Sequence, residues 1–116
     1  LELLALLRAN TSIRENGLDV DVLPNGQGEF GLEKPNPVPT NTPSGSDAYL
    51  KKLRTLEGKP IKFSRIGSFG VELFPDQLID GYDISSESGE KLPTLWLNMY
   101  QKRNSNKAPK GFYLAK

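Results

Sequence analysis

Four prolines stand within residues 34–46 (KPNPVPTNTPSGS), and this stretch limits the fold more than any other part of the chain. Proline holds φ near about −65° and has no amide hydrogen to give. Neither a helix interior nor a central strand passes easily through such a run. The stretch therefore predicts an extended loop or internal linker, able to dock on its own domain as a polyproline-type strap. At 116 residues the chain has the size of one domain, so the loop is expected inside a single unit spanning 1–116.

Upstream of the prolines, residues 1–10 (LELLALLRAN) are good helix formers with leucine on most faces, which predicts a helix that is buried or at an interface. Residues 18–23 (LDVDVL) alternate apolar and polar side chains as a half-buried strand does. Asn25-Gly26 and Gly28 supply turn residues, and 29–32 (EFGL) reads as the returning strand of a hairpin.

Downstream, Ser46-Asp47 reads as the cap of a helix to about Glu57, stopped by Gly58 and Pro60. Residues 61–66 alternate as a strand, 67–70 (GSFG) as a corner, and 71–74 as another strand. Residues 76–80 suggest a helical turn, 82–85 a short strand and 87–90 a turn. Residues 94–100 (TLWLNMY) carry the strongest strand composition in the chain. A polar basic loop fills 101–111, and 112–114 closes with a last strand. The sum is an α+β domain, a small bent antiparallel sheet of five to six strands with two helices.

The composition removes several chemistries. Cysteine is absent, which excludes disulfides, thiolate zinc sites, iron–sulfur clusters and a cysteine nucleophile. Histidine is absent, which removes the commonest general base at neutral pH and the Ser-His-Asp triad. No run of apolar residues reaches the length of a membrane helix, so a soluble domain is expected, with the cytoplasm favoured. The first residue is Leu rather than Met, which suggests processing or excision from something longer.

A formal charge of +1 conceals an ordered pattern. Residues 1–50 hold 3 basic and 7 acidic side chains, and residues 51–65 hold 6 basic and 1 acidic. Residues 66–90 hold 6 acidic and none basic, and residues 91–116 hold 6 basic and none acidic. Such blocks pair across neighbouring elements, or else the two basic blocks converge into a face for an acidic partner or a phosphate backbone. Trp96, Tyr100, Phe112 and Tyr113 near the second basic block are what a single-strand nucleic-acid site would use, although a strand places Trp96, Asn98 and Tyr100 on one face, as in a core.

Motifs for catalysis or metal binding are weak. Asp76, Asp80 and Asp83 fall within eight residues but match no standard metal loop, and Asp19-Val20-Asp21 lacks the closing acid of a calcium loop. Pro75-Asp76 lacks the spaced acid and lysine of a metal nuclease, because Glu90 and Lys91 are adjacent. Gly67-x2-Gly70 is too short for a dinucleotide fingerprint. Lys62, Ser64 and Ser68 are a chance-level Ser-Lys pattern.

The run Asn36-Pro37-Val38-Pro39, then Gly45, Tyr49-Leu50, Leu53-Arg54, Gly58 and Phe63-Ser64-Arg65-Ile66-Gly67-Ser68, resembles a pattern in small bacterial proteins without an assigned activity. Leu97-Asn98-Met99-Tyr100, Lys102-Arg103, Ser105, Pro109 and Gly111-Phe112 are similar to their ends. Ser64 stands where that pattern has a histidine before the arginine, so any histidine chemistry is not carried over. The resemblance implies a shared fold and directs attention to Arg65, Gly67, Ser68, Asn98, Tyr100 and Arg103.

From these readings the binding candidates are Arg65, Ser68, Asn98, Tyr100, Lys102 and Arg103, with no metal ligand, cofactor or catalytic residue assigned. The expected role is a noncatalytic module that binds another protein, in a bacterial assembly or a toxin–antitoxin-type pair. One alternative is a nucleic-acid-binding domain using Lys51, Lys52, Arg54, Arg65, Lys102 and Arg103. Another is a small hydrolase or nuclease built without His or Cys.

Overall fold

The computed structural model describes residues 17–116, so the helix expected over residues 1–10 lies outside the described residues. In chain order the elements are β1 (Val38–Pro39), α1 (Thr42–Lys52), β2 (Leu53–Thr55), β3 (Ile61–Gly70), β4 (Leu78–Ser86), β5 (Lys91–Asn98) and β6 (Phe112–Leu114). The fold is α+β, with a four-stranded sheet in the order β1-β5-β4-β3 and a two-stranded ribbon of β2 and β6.

The expected all-antiparallel sheet is mixed, because β1 runs parallel to β5, with Val38 opposite Leu97 and Pro39 opposite Asn98. The expected pair of helices is one helix among the described residues. Of the expectations for the proline-rich run, docking on its own domain fits residues 36–40, which are all buried, while its last part from Thr42 is helical rather than loop. Proline is compatible with β1 because β1 stands at a sheet edge, where a missing donor breaks no ladder.

The helix begins and ends earlier than 47–57. Pro43 occupies its first turn, where its missing N–H is no loss, and Lys51 and Lys52 lie in its last turn, where cations favour the helix dipole. It ends at Lys52 because Leu53 and Thr55 are both buried two residues apart, a strand period, while Leu56 is left 69% exposed. β2 then pairs antiparallel with β6.

The hairpin expected over 18–32 is replaced by turns and bends. The apolar positions there bury singly, at Leu23 and Phe30, and Gly28 and Gly31 take left-handed φ values of 96° and 71°. The corner expected at 67–70 is instead the continuation of β3, and the strand expected at 71–74 is a turn closed by the Phe74 amide on the Val71 carbonyl. Leu78 opens β4 where a helical turn was expected, and β5 stops at Asn98 rather than Tyr100.

The core lies between α1 and one face of the four-stranded sheet. Tyr49, Leu50 and Leu53 pack with Val38, Tyr82, Ile84, Leu95 and Leu97. The Tyr49 hydroxyl donates to the Lys107 carbonyl at 2.6 Å, and burial raises its pKa. Pro93 sits in central strand β5 where the pairing with β4 slips between Tyr82 and Ile84, the kind of position that tolerates proline in a sheet.

The two edges of this sheet differ. Outside β1, Ser105 N–H donates to Pro39 O at 2.9 Å, Gln101 N–H donates to Thr40 O at 3.0 Å, and Asn41 Nδ2 donates to Gln101 O at 2.9 Å. The loop after β5 thus closes that side. β3 spans 10 residues and pairs with β4 on one side; on the other, Arg54 of β2 bridges Pro60 just ahead of it, and no strand is laddered to β3 itself among the described residues.

Candidate functional site

β3 carries a bulge. Arg65 pairs with Tyr82 and Gly67 with Gly81, leaving Ile66 as the extra residue. Gly67, at φ 153°, takes a backbone setting that side chains disfavour. In a regular strand, residues three apart face opposite ways. The bulge cancels this for Arg65 and Ser68, which face the same side, over Tyr82 and Asp80 respectively.

Asp80 is the centre of this group. Its side chain is 3% exposed, so a charge there needs partners. The Ser68 hydroxyl donates to Asp80 Oδ1 at 2.6 Å. Arg65 Nη2 lies 3.3 Å from the same oxygen and also donates to Ser68 Oγ. The Arg65 side chain keeps 51% of its surface open to solvent, and Nη2 is the guanidinium nitrogen that makes these contacts. Beside it, burial and then the Asp80 charge push the Tyr82 hydroxyl up to about 12.

Of the six predicted residues, only Arg65 and Ser68 come together here. Asn98 is fully buried, its Nδ2 donating to Gln77 Oε1 at 2.9 Å while its Oδ1 accepts from the Tyr100 amide at 3.0 Å and from Gln101 Nε2 at 3.1 Å. Tyr100 is buried too, bridging to Asn41 through its backbone. Lys102 is exposed, and its amide donates to Leu18 O at 2.9 Å. Arg103 holds two carboxylates, donating to Asp19 through Nε and to Asp21 at 2.7 Å. Asp21 titrates below the usual carboxylate value, chiefly through its hydrogen bond from Arg103 and then through the Asn106 amide.

The acidic triplet does not converge. Asp76 is exposed, Asp80 faces Arg65 and Ser68, and Asp83 is exposed beside Lys91 at 3.4 Å. Four of the six side chains of the nucleic-acid alternative already have partners. Lys51 pairs with Asp47 at 2.8 Å, Arg54 Nη1 donates to the carbonyls of Lys51 and Leu53, and Arg65 and Arg103 are engaged as described.

On the opposite face of the sheet, Trp96 is not an open stacking platform. Phe69 meets it edge-on at 5.5 Å, Lys34 Nζ lies 5.2 Å from its ring centre, and Gly81 backs it so closely that a Cβ would fall 2.7 Å from the ring.

Two features of the β3 site escaped the sequence. The open edge follows from strand order, which is a tertiary property. Asp80 was read with Asp76 and Asp83 as one acidic group, although alternation along 78–86 separates it from Asp83. Comparison with family models, with curated proteins and with solved structures returned no match.

Proposed function

We propose that this chain is a noncatalytic protein-interaction module that takes an extended segment of a partner protein onto the outer edge of β3. The observation that carries the reading is the contrast between the edges: the loop after β5 closes β1, while beyond the Arg54–Pro60 bridge β3 offers a row of backbone donors and acceptors that no strand pairs among the described residues. Such a row is a template for one more strand. The segment should be acidic, because residues 51–65, which lead into and include half of β3, hold 6 basic side chains against 1 acidic. A second copy of β3 fits worse, because IKFSRIGSFG brings Lys62 and Arg65 to the edge and no carboxylate to meet them.

Hydrogen–deuterium exchange tests this reading. The outward-facing amides of β3 should exchange fast in the free chain and slow when an acidic peptide of about ten residues is added. Unchanged exchange with every peptide would refute it. So would protection already present in the dilute free chain, protection rising with protein concentration alone, or protection given only by an oligonucleotide and lost with salt.

A further inference from the structure

Resting on that reading, we infer that Arg65 selects the bound segment by reading a carboxylate at the position directly opposite it on the added strand. The guanidinium is prepared for this. Its Nη2 is spent on Asp80 and Ser68, both across or along the sheet from it, while the side chain stays 51% exposed. Asp80, itself 3% exposed, and Ser68 are positioning residues: they hold Arg65 through Nη2, while Nε and Nη1 donate to no acceptor among the described residues. Pre-ordering this long side chain removes part of the entropy that a free arginine loses on binding.

Sheet geometry turns this into a sequence pattern. Directly opposed residues on paired strands share a face and lie about 5 Å apart at Cβ. On an antiparallel added strand, the acid opposite Arg65 is followed two residues later by the neighbour of Phe63 and three residues later by that of Lys62. Phe63 is partly buried and packs edge-on to Tyr82 at 6.3 Å, so an apolar side chain suits the second position. Lys62 is exposed on the other face and forms no ion pair among the described residues, so a second acid suits the third. The preferred segment therefore reads acid–any–apolar–acid.

The test is a fluorescence titration of the full chain with labelled Thr-Glu-Thr-Val-Glu-Thr peptides and their Glu→Gln counterparts. Replacing the first Glu should weaken binding about three- to fivefold in the native chain, the size of one exposed but well-oriented pair. The same replacement should have no effect on Arg65→Ala. Replacing the second Glu should weaken both chains alike. Because Arg65→Ala strands the buried Asp80, the Arg65→Ala/Asp80→Asn double variant serves as a second background and should behave as Arg65→Ala does. Ser68→Ala should reduce the first-Glu effect while leaving the second intact, which a merely structural role for Ser68 would not do. Equal sensitivity to the first Glu with and without Arg65 would overturn the inference while sparing edge binding. Failure of every peptide, Gln forms included, to bind or to protect the β3 amides would remove edge binding and the Arg65 inference together.

Discussion

At the scale of single residues, the chain concentrates strain and buried charge in a few places. Thr42 has φ 66°, a left-handed setting that a β-branched side chain rarely takes. It precedes Pro43, which bars the right-handed helical setting, and its amide is fixed on the Met99 carbonyl at 2.8 Å. The tight passage from β1 into α1 imposes this geometry. Replacing Thr42 with Gly relieves about 1–3 kcal/mol of strain and gives back about 0.5–1 kcal/mol in chain entropy. A net gain of about 1 kcal/mol is expected in chemical denaturation, and a loss would contradict the strain argument. This strain was not legible in the sequence; Arg65 and Ser68 were singled out there through the resemblance, but their meeting over Asp80 was not. Three-residue spacing sends Arg65 and Ser68 to opposite faces of a regular strand, and only the inserted Ile66 reunites them. What the sequence did show was that a site without Cys or His must rest on residues of this kind.

At the scale of elements, the strongest local patterns survived, as did the short closing strand over 112–114, while other short ones yielded to packing. The strands over 61–66, 82–85 and 94–100 appear with moved ends, because their alternation matches a sheet with one covered face. The alternation in 18–23 made no strand, because its two aspartates are held by Arg103 rather than facing water from a ladder. The proline run was read by what proline forbids, and its burial against β5 comes from long-range pairing that local chemistry does not reveal. The bulge of β3 faces a matching gap in β4: Gly67 pairs with Gly81, and Gly81 pairs with Trp96. A Cβ at Gly81 would lie 2.7 Å from the Trp96 ring and 3.2 Å from Ile66. Gly81→Ala should therefore lower stability by about 1–3 kcal/mol in urea titration, through overpacking rather than through any loss of turn freedom. If the variant is as stable as the native chain, Ile66 and Trp96 are not locked over β4 in the way described.

At the scale of the whole molecule, the segment ahead of the prolines is tied to the loop after β5 by charge. Arg103 grips Asp19 and Asp21, the Asn106 amide donates to Asp21 at 2.8 Å, and Ser105 Oγ donates to the Asp21 carbonyl at 2.7 Å. The same loop closes β1 through Ser105, so this clasp stands behind the closed sheet edge, whereas no strand is laddered to the outer edge of β3 among the described residues. The acidic block before the prolines and the basic block after residue 90 thus meet in this clasp, the cross-element pairing that segmented charge allowed. Its pH dependence has a definite sign. Asp21 titrates below its ordinary value of 3.8 in the folded chain, so the folded state favours the ionised form. The stability it contributes is complete at pH values above 3.8 and is lost as pH falls through the lowered folded value. The gap in melting temperature between the native chain and Asp21→Asn should accordingly be widest near neutrality and narrow as the pH drops below that range. Because both partners are partly solvent-exposed, added salt should narrow the gap at neutral pH as well. A gap that stays constant across the acid range would mean that Asp21 acts through packing or its backbone contacts, and that its ion pair with Arg103 contributes nothing to the clasp.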